Sequence, residues 1–111
     1  MIPLPGEPVR GSTTGRPVMA LLDLLGRRWT LRVLWELRGE PRGFRALQAA
    51  CDRMSPTVLA TRLGELRTAG LVATDDAGVN RLTPLGVQLM TALGPLNEYA
   101  DTWAAALRAA D

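Results

Sequence analysis

Histidine is absent from this 111-residue chain, lysine does not occur, and cysteine occurs once, as Cys51. Without histidine there is no Ser-His or Cys-His pair for nucleophilic catalysis and no usual structural zinc site, and a lone cysteine excludes an internal disulfide framework. No enzyme activity, cofactor or metal is therefore expected. The sequence has no run of about eighteen apolar residues that would span a bilayer, and no basic-then-apolar leader with a small-residue cleavage site. A cytoplasmic location without membrane contact is the expectation.

What is present suits one folded domain. Apolar residues make up 47% of the chain, enough for a single modest core but with no room for a catalytic domain beside it. All thirteen basic residues are arginine, set against eleven acids for a formal net charge of +2. Guanidinium suits phosphate, yet arginine used to the exclusion of lysine also follows from genomic base composition, so charge alone assigns no partner. No internal repeat is visible.

The stretch Phe44 to Val72 organises the rest. Phe44, Leu47, Ala50 and Cys51 recur at helical spacing, the polar pair Asp52-Arg53 reads as a turn, and Met54 resumes the core. Ser55-Pro56 then starts a second helix, because serine accepts from a free first-turn amide and proline has no amide to leave unpaired. Leu59, Leu63, Leu66 and Gly70 form one apolar seam, with Gly70 placed for a left-handed cap. Opposite that seam lie Thr57, Ala60, Thr61, Gly64 and Thr68, all small. Such a face can approach another surface closely, and its hydroxyls can bond base edges or phosphates; the alternative is a solvated face short of charge. Two helices, a tight break and a following strand have the order of a helix-turn-helix with a wing.

Outside this stretch, residues 1–15 combine prolines and glycines without periodicity and read as a disordered arm, either dispensable or touching DNA through Arg10 or Arg16. Met19, Leu21, Leu22, Leu24 and Leu25 make a first helix from Pro17, ended by Gly26. Trp29 to Leu37 is a second helix with apolar side chains on most of its circumference, placed at the centre of the core. Arg27 and Arg28 precede its first turn, where the helix dipole repels cations, so they are either phosphate ligands or simply solvated. Arg42-Gly43-Phe44 reads as a short extended segment, and Arg45 falls in the next first turn, again against the dipole. Leu71–Thr74 and Val79–Leu82 flank Asp75-Asp76-Ala77-Gly78 as a hairpin. Thr83-Pro84 repeats the cap signal for a last helical region, which Gly94-Pro95 is expected to kink or divide. Beyond it Leu96, Tyr99, Ala100, Trp103 and Leu107 make an apolar stripe that packs either on the first helix of its own chain or across a homodimer seam.

With these pieces in order, the chain resembles the HxlR-type winged helix-turn-helix transcriptional regulators of prokaryotes. The resemblance runs from about Pro17 to Trp103. It rests on Leu24-Leu25-Gly26 with Arg28-Trp29-Thr30, Pro41-Arg42 with Phe44 and Leu47, and Ser55-Pro56 and Val58-Leu59 with Arg62-Leu63 and Leu66. Ala69-Gly70-Leu71-Val72 and Leu82-Thr83 with Gly86 complete it. The resemblance implies a small DNA-binding protein that dimerises through its terminal helices and reads the major groove with the helix from Pro56. Many members carry cysteine before the proline that opens the first helix, where some sense oxidants or electrophiles; here Arg16 stands there, so redox sensing is not inherited. The wing is short, its tip is acidic, and Asn80 replaces an aromatic.

The resulting expectation is a mainly α fold with a small β-hairpin, comprising an arm over 1–15, a winged domain over 16–108 and a tail over 109–111. Its function is that of a homodimeric, sequence-specific regulator of double-stranded DNA, with an unidentified small-molecule effector among the conceivable partners. A winged-helix module making only protein contacts is the alternative. Candidate DNA-binding residues are Arg28, Arg45, Ser55, Thr57, Ala60, Thr61, Arg62, Gly64, Arg67 and Arg81, with Arg62 equally able to brace the fold. Leu21, Leu22, Leu25, Leu96, Tyr99, Trp103 and Leu107 are the candidate dimer interface. Cys51 is expected to be a buried core residue with a raised thiol pKa.

Overall fold

The computed structural model describes residues 2, 4–8 and 15–110. Met1, Pro3, residues 9–14 with the candidate Arg10, and Asp111 of the expected tail lie outside the described residues. The elements are α1 (Pro17–Leu25), α2 (Thr30–Leu37), β1 (Arg42–Gly43), α3 (Phe44–Ala50), α4 (Pro56–Thr68), β2 (Val72–Thr74), β3 (Val79–Leu82) and α5 (Pro84–Ala109). This is a winged helix-turn-helix, mainly helical with a small antiparallel sheet ordered β1-β3-β2. Arg42 pairs with Asn80, and Thr74 meets the same Asn80 from the other side.

The two Xaa-Pro starts behave as their chemistry requires. Ser55 Oγ accepts from Val58 N and Thr83 Oγ1 accepts from Gly86 N, so each hydroxyl satisfies one of the free amides of its helix. Gly70 has φ +77, the left-handed turn that lets the chain leave α4 and enter the wing. Trp29 takes φ 74 just before α2, a conformation costly for a residue with Cβ, and its ring is packed against the core.

The core is where α2, α3 and α4 meet. Leu34, Leu47, Leu59 and Leu66 are fully buried there, along with Cys51 and Val33. Asn80, 2% exposed, explains why a polar residue stands in the sheet. Its amide donates to Arg42 O, and its oxygen accepts from Thr74 Oγ1, so one side chain ties all three strands together. Buried amide groups need such partners, and an aromatic ring would supply none.

Two expectations change. α5 is one helix through Pro95: the proline removes a single backbone bond, to the carbonyl of Thr91, and this part of the helix is exposed so that water can take its place. Leu25 is 9% exposed within its own core and offers no open face for a partner, whereas Leu22 on the same helix is 56% exposed. α2 stands at the centre as expected, against α1, α3, α4, α5 and β3, burying Val33, Leu34 and Leu37, while Leu31 and Trp35 line an open groove with Met90 and Leu93 of α5. Within the segment expected to be a disordered arm, Ile2 is 6% exposed and belongs to the core cluster.

Candidate nucleic-acid interface

The break between α3 and α4 is built from two consecutive left-handed residues, Asp52 and Arg53, each at φ 56. Neither is glycine, so the turn must be held from outside, and Gln48 does this: its side-chain amide donates to Met54 O at 2.9 Å while its backbone carbonyl accepts from Arg53 N. Met54, 4% exposed, returns the chain to the core, and α4 starts with its outer face directed away from it.

On that face Thr57, Ala60, Thr61 and Thr68 are exposed and Gly64 is half-buried. Thr61 Oγ1 donates to Thr57 O and Thr68 Oγ1 donates to Gly64 O, both at 3.0 Å. Each hydroxyl proton is thereby used within the helix, and what points outward is an acceptor lone pair and a methyl group. That pair of features suits a base amino donor and a thymine methyl. No side chain of this face carries a charge.

Cations surround it unevenly. Arg45 and Arg53, both exposed, line a groove of about 540 Å³ with Phe44, Gln48, Ala49 and Pro56, alongside the start of α4. Arg53 was missed in the sequence, where Asp52-Arg53 signalled only a turn. Arg28 is exposed at the α1-α2 connection. Arg67, near the end of α4, donates to Thr74 Oγ1 of the wing at 3.1 Å yet remains exposed.

Two of the sequence candidates have other partners. Arg62 donates to Arg28 O at 2.7 Å through Nε and to Glu65 at 2.7 Å through Nη1, so it braces α4 against the α1-α2 connection and has little left for phosphate. Arg27 reaches the same carboxylate at 2.6 Å. Burial pushes the Glu65 carboxyl up, but the hydrogen bonds from Arg62 and Arg27 outweigh it and hold the group below its ordinary value. Arg81 pairs with Asp75 at 3.2 Å. Asp75 in turn accepts from the amides of Ala77 and Val79, so this acid builds the wing turn. The amide of Val79 is the main reason its pKa is lowered, partial burial opposes, and Ala77 and Arg81 add to the lowering. The acidic tip inferred from Asp75-Asp76 is thus half cancelled by Arg81.

The apolar stripe of α5 is not covered by its own chain. Leu96, Tyr99, Trp103 and Leu107 are each more than half exposed, which removes the intrachain alternative for it. Leu22 of α1 is similarly open and Leu21 is partly packed on the core. Among the described residues no group of His, Cys, Asp or Glu is arranged to hold a metal, and no helix is long and apolar enough to cross a membrane.

Comparison with known proteins gives a consistent result. The family model for the HxlR-like helix-turn-helix matches residues 24–108. The HTH-type transcriptional regulator YvaP of Bacillus subtilis (strain 168), itself uncharacterized, is 31% identical over 88 residues, covering 74% of this chain and 82% of the relative. The quinone-bound YodB of B. subtilis superposes with a TM-score of 0.72 at 26% identity, covering 77% of this chain and 94% of that one. A possible HxlR family transcriptional factor of Thermoplasma volcanium GSS1 gives 0.64 at 25% identity, covering 76% and 81%. A match over most of the chain, carried by the helix pair and wing described above, establishes that this protein belongs to the HxlR-like helix-turn-helix family of transcriptional regulators.

Proposed function

We propose that the protein is a homodimeric, sequence-specific regulator that lays α4 in the major groove of its operator. The observation that carries this reading is the uncharged, small outer face of α4, with a hydroxyl acceptor at Thr61 and the exposed Thr57, beside the exposed pair Arg45 and Arg53. Thr57, Ala60, Thr61 and Gly64 face the bases. Ser55 holds the helix start, and Arg45, Arg53, Arg28 and Arg67 take phosphates; Arg62 supports the helix from behind and Arg81 serves the wing turn first. Phosphate contacts position such a helix and base contacts specify its site.

A single recognition helix meets too few base pairs for strong discrimination, so a two-fold pair of them, one DNA turn of about 34 Å apart, is part of the proposal. The open stripe on α5 with Leu22 of α1 supplies the seam.

The experiment is a salt-titrated binding measurement on the DNA upstream of the protein's own gene. A steep salt slope and a preference of about a thousandfold or more over random duplex are expected. Thr61→Ala should alter which bases are preferred, while Arg45→Ala weakens binding to all sequences alike. Absence of binding at low salt would leave a protein-contact module in its place.

A further inference from the structure

Of the two arginines on α4, Arg62 is held by Glu65, whereas Arg67 has no carboxylate partner among the described residues. The acids on either side of Arg67 in the sequence are engaged elsewhere, Glu65 by Arg27 and Arg62, and Asp75 by Arg81. The Arg67 guanidinium is nonetheless fixed. Its Nη1 donates to Thr74 Oγ1 of β2 at 3.1 Å, and a Cβ built at Gly64 would come 3.9 Å from its Nη2. The group therefore lies between the outer face of α4 and the wing.

The anchor is itself held by the sheet. Asn80 Nδ2 donates to Arg42 O of β1 at 3.1 Å, which fixes the amide and turns Oδ1 toward Thr74. Thr74 Oγ1 gives its one proton to that oxygen at 2.7 Å, so what it has left for Arg67 is acceptor lone pairs. Asn80 is buried while Thr74 and Arg67 are exposed, and the relay thus runs from the core to the surface. One of the five guanidinium N–H groups is used, and the edge formed by Nε and Nη2 has no acceptor among the described residues. That edge matches two oxygens of a phosphate.

We propose that Asn80 and Thr74 are positioning residues for DNA binding, which hold the Arg67 guanidinium between α4 and the wing so that it takes one phosphate across its free edge. This rests on α4 being the DNA-reading helix. Arginine is a long side chain with many rotamers, and a duplex that uses a loose one must immobilise it on binding. Here folding has already done so. The wing thereby aids binding even where its own tip stays off the duplex, and the phosphate so held fixes the register of α4.

A double-mutant cycle on the full chain tests this. Thr74→Val removes the hydroxyl at an exposed strand position that suits valine, and Thr74→Ser keeps it. Thr74→Val should weaken duplex binding roughly two- to tenfold on specific and random DNA alike, with the salt slope retained because no charge is lost, while Thr74→Ser binds as the wild type does. Arg67→Ala should lower the slope by about one per half-site, and adding Thr74→Val to it should change nothing more. A readout independent of DNA is nitrogen relaxation at Arg67 Nε, which should report a rigid side chain in the wild type and a mobile one in Thr74→Val. Asn80→Ala, which frees the Thr74 proton, should loosen Arg67 in the same way, and the Thr74 variants serve even if it loses stability. A Thr74→Val loss that persists without Arg67, no loss at all, or an unchanged slope for Arg67→Ala would refute the proposal. If the wild type binds no duplex at any salt, the reading of α4 and the phosphate role fail together, and the relaxation data still decide whether the relay holds the guanidinium.

Discussion

Truncating Trp103 tests the dimer most directly, because the side chain does nothing for its own protomer that the structure shows. It is 56% exposed, and every residue of α5 from Gly94 to Trp103 is exposed. The helix extends away from the body: the radius of gyration is 15.4 Å, against about 13 Å for a compact chain of this length. An indole side chain carries at most about 250 Å². Covering the exposed half would therefore remove on the order of 140 Å² from water, which at about 25 cal/mol per Å² is about 3.5 kcal/mol. Alanine at this position keeps a small part of that burial, so the loss is about 2–3 kcal/mol for each copy, and a two-fold seam contains two copies. Dimer affinity should fall by at least about thirtyfold, and by a thousandfold or more if both losses add. Sedimentation velocity at micromolar concentration reads this as a shift from dimer to monomer, with circular dichroism confirming an intact fold and specific DNA binding lost in parallel. A Trp103→Ala protein that stays dimeric and binds DNA as before would exclude this anchor, and a wild type monomeric at high concentration would refute the dimer itself.

Three further outcomes follow from the packing. Gly86→Ala would put a Cβ inside van der Waals contact with Leu71 O and 3.2 Å from the Leu82 Cβ. α5 must then shift from the wing, and chemical denaturation should show a loss of about 1–3 kcal/mol, as for overpacked sites; an unchanged midpoint would mean that the helix start yields freely. Glu65→Gln should cost about 1.5–3 kcal/mol at neutral pH by weakening the bonds from Arg27 and Arg62. Because the folded carboxyl titrates below its unfolded value, its contribution is present above the unfolded pKa and lost as pH falls through the lower, folded one. Urea midpoints measured from pH 7 downwards should therefore drop less steeply in the glutamine variant, and parallel curves would deny Glu65 this part. Cys51 is fully buried and burial raises its thiol pKa. It should react with a thiol reagent only at the rate of unfolding, and fast labelling with loss of DNA binding would reveal a redox role.

What the sequence determined by itself was local. The Ser55-Pro56 and Thr83-Pro84 starts, the left-handed Gly70 and the apolar seam of α4 all depend on residues within a turn or two of each other, so spacing and cap chemistry sufficed to place them. The hairpin and the helix pair followed from the same rules. The small outer face of α4 was legible because a face is a property of helical periodicity alone. Tertiary structure decided which arginines are occupied. Arg28, Arg45, Arg62 and Arg81 look alike in the sequence, but Glu65 reaches Arg27 from 38 residues away and Arg62 finds the backbone of Arg28 across 34. It also decided that Leu25 turns inward while Leu22 stays open, that Ile2 is buried, and that α5 runs unbroken past Pro95. Each of these depends on what another part of the chain brings alongside, and periodicity carries no record of a neighbour that is distant in sequence.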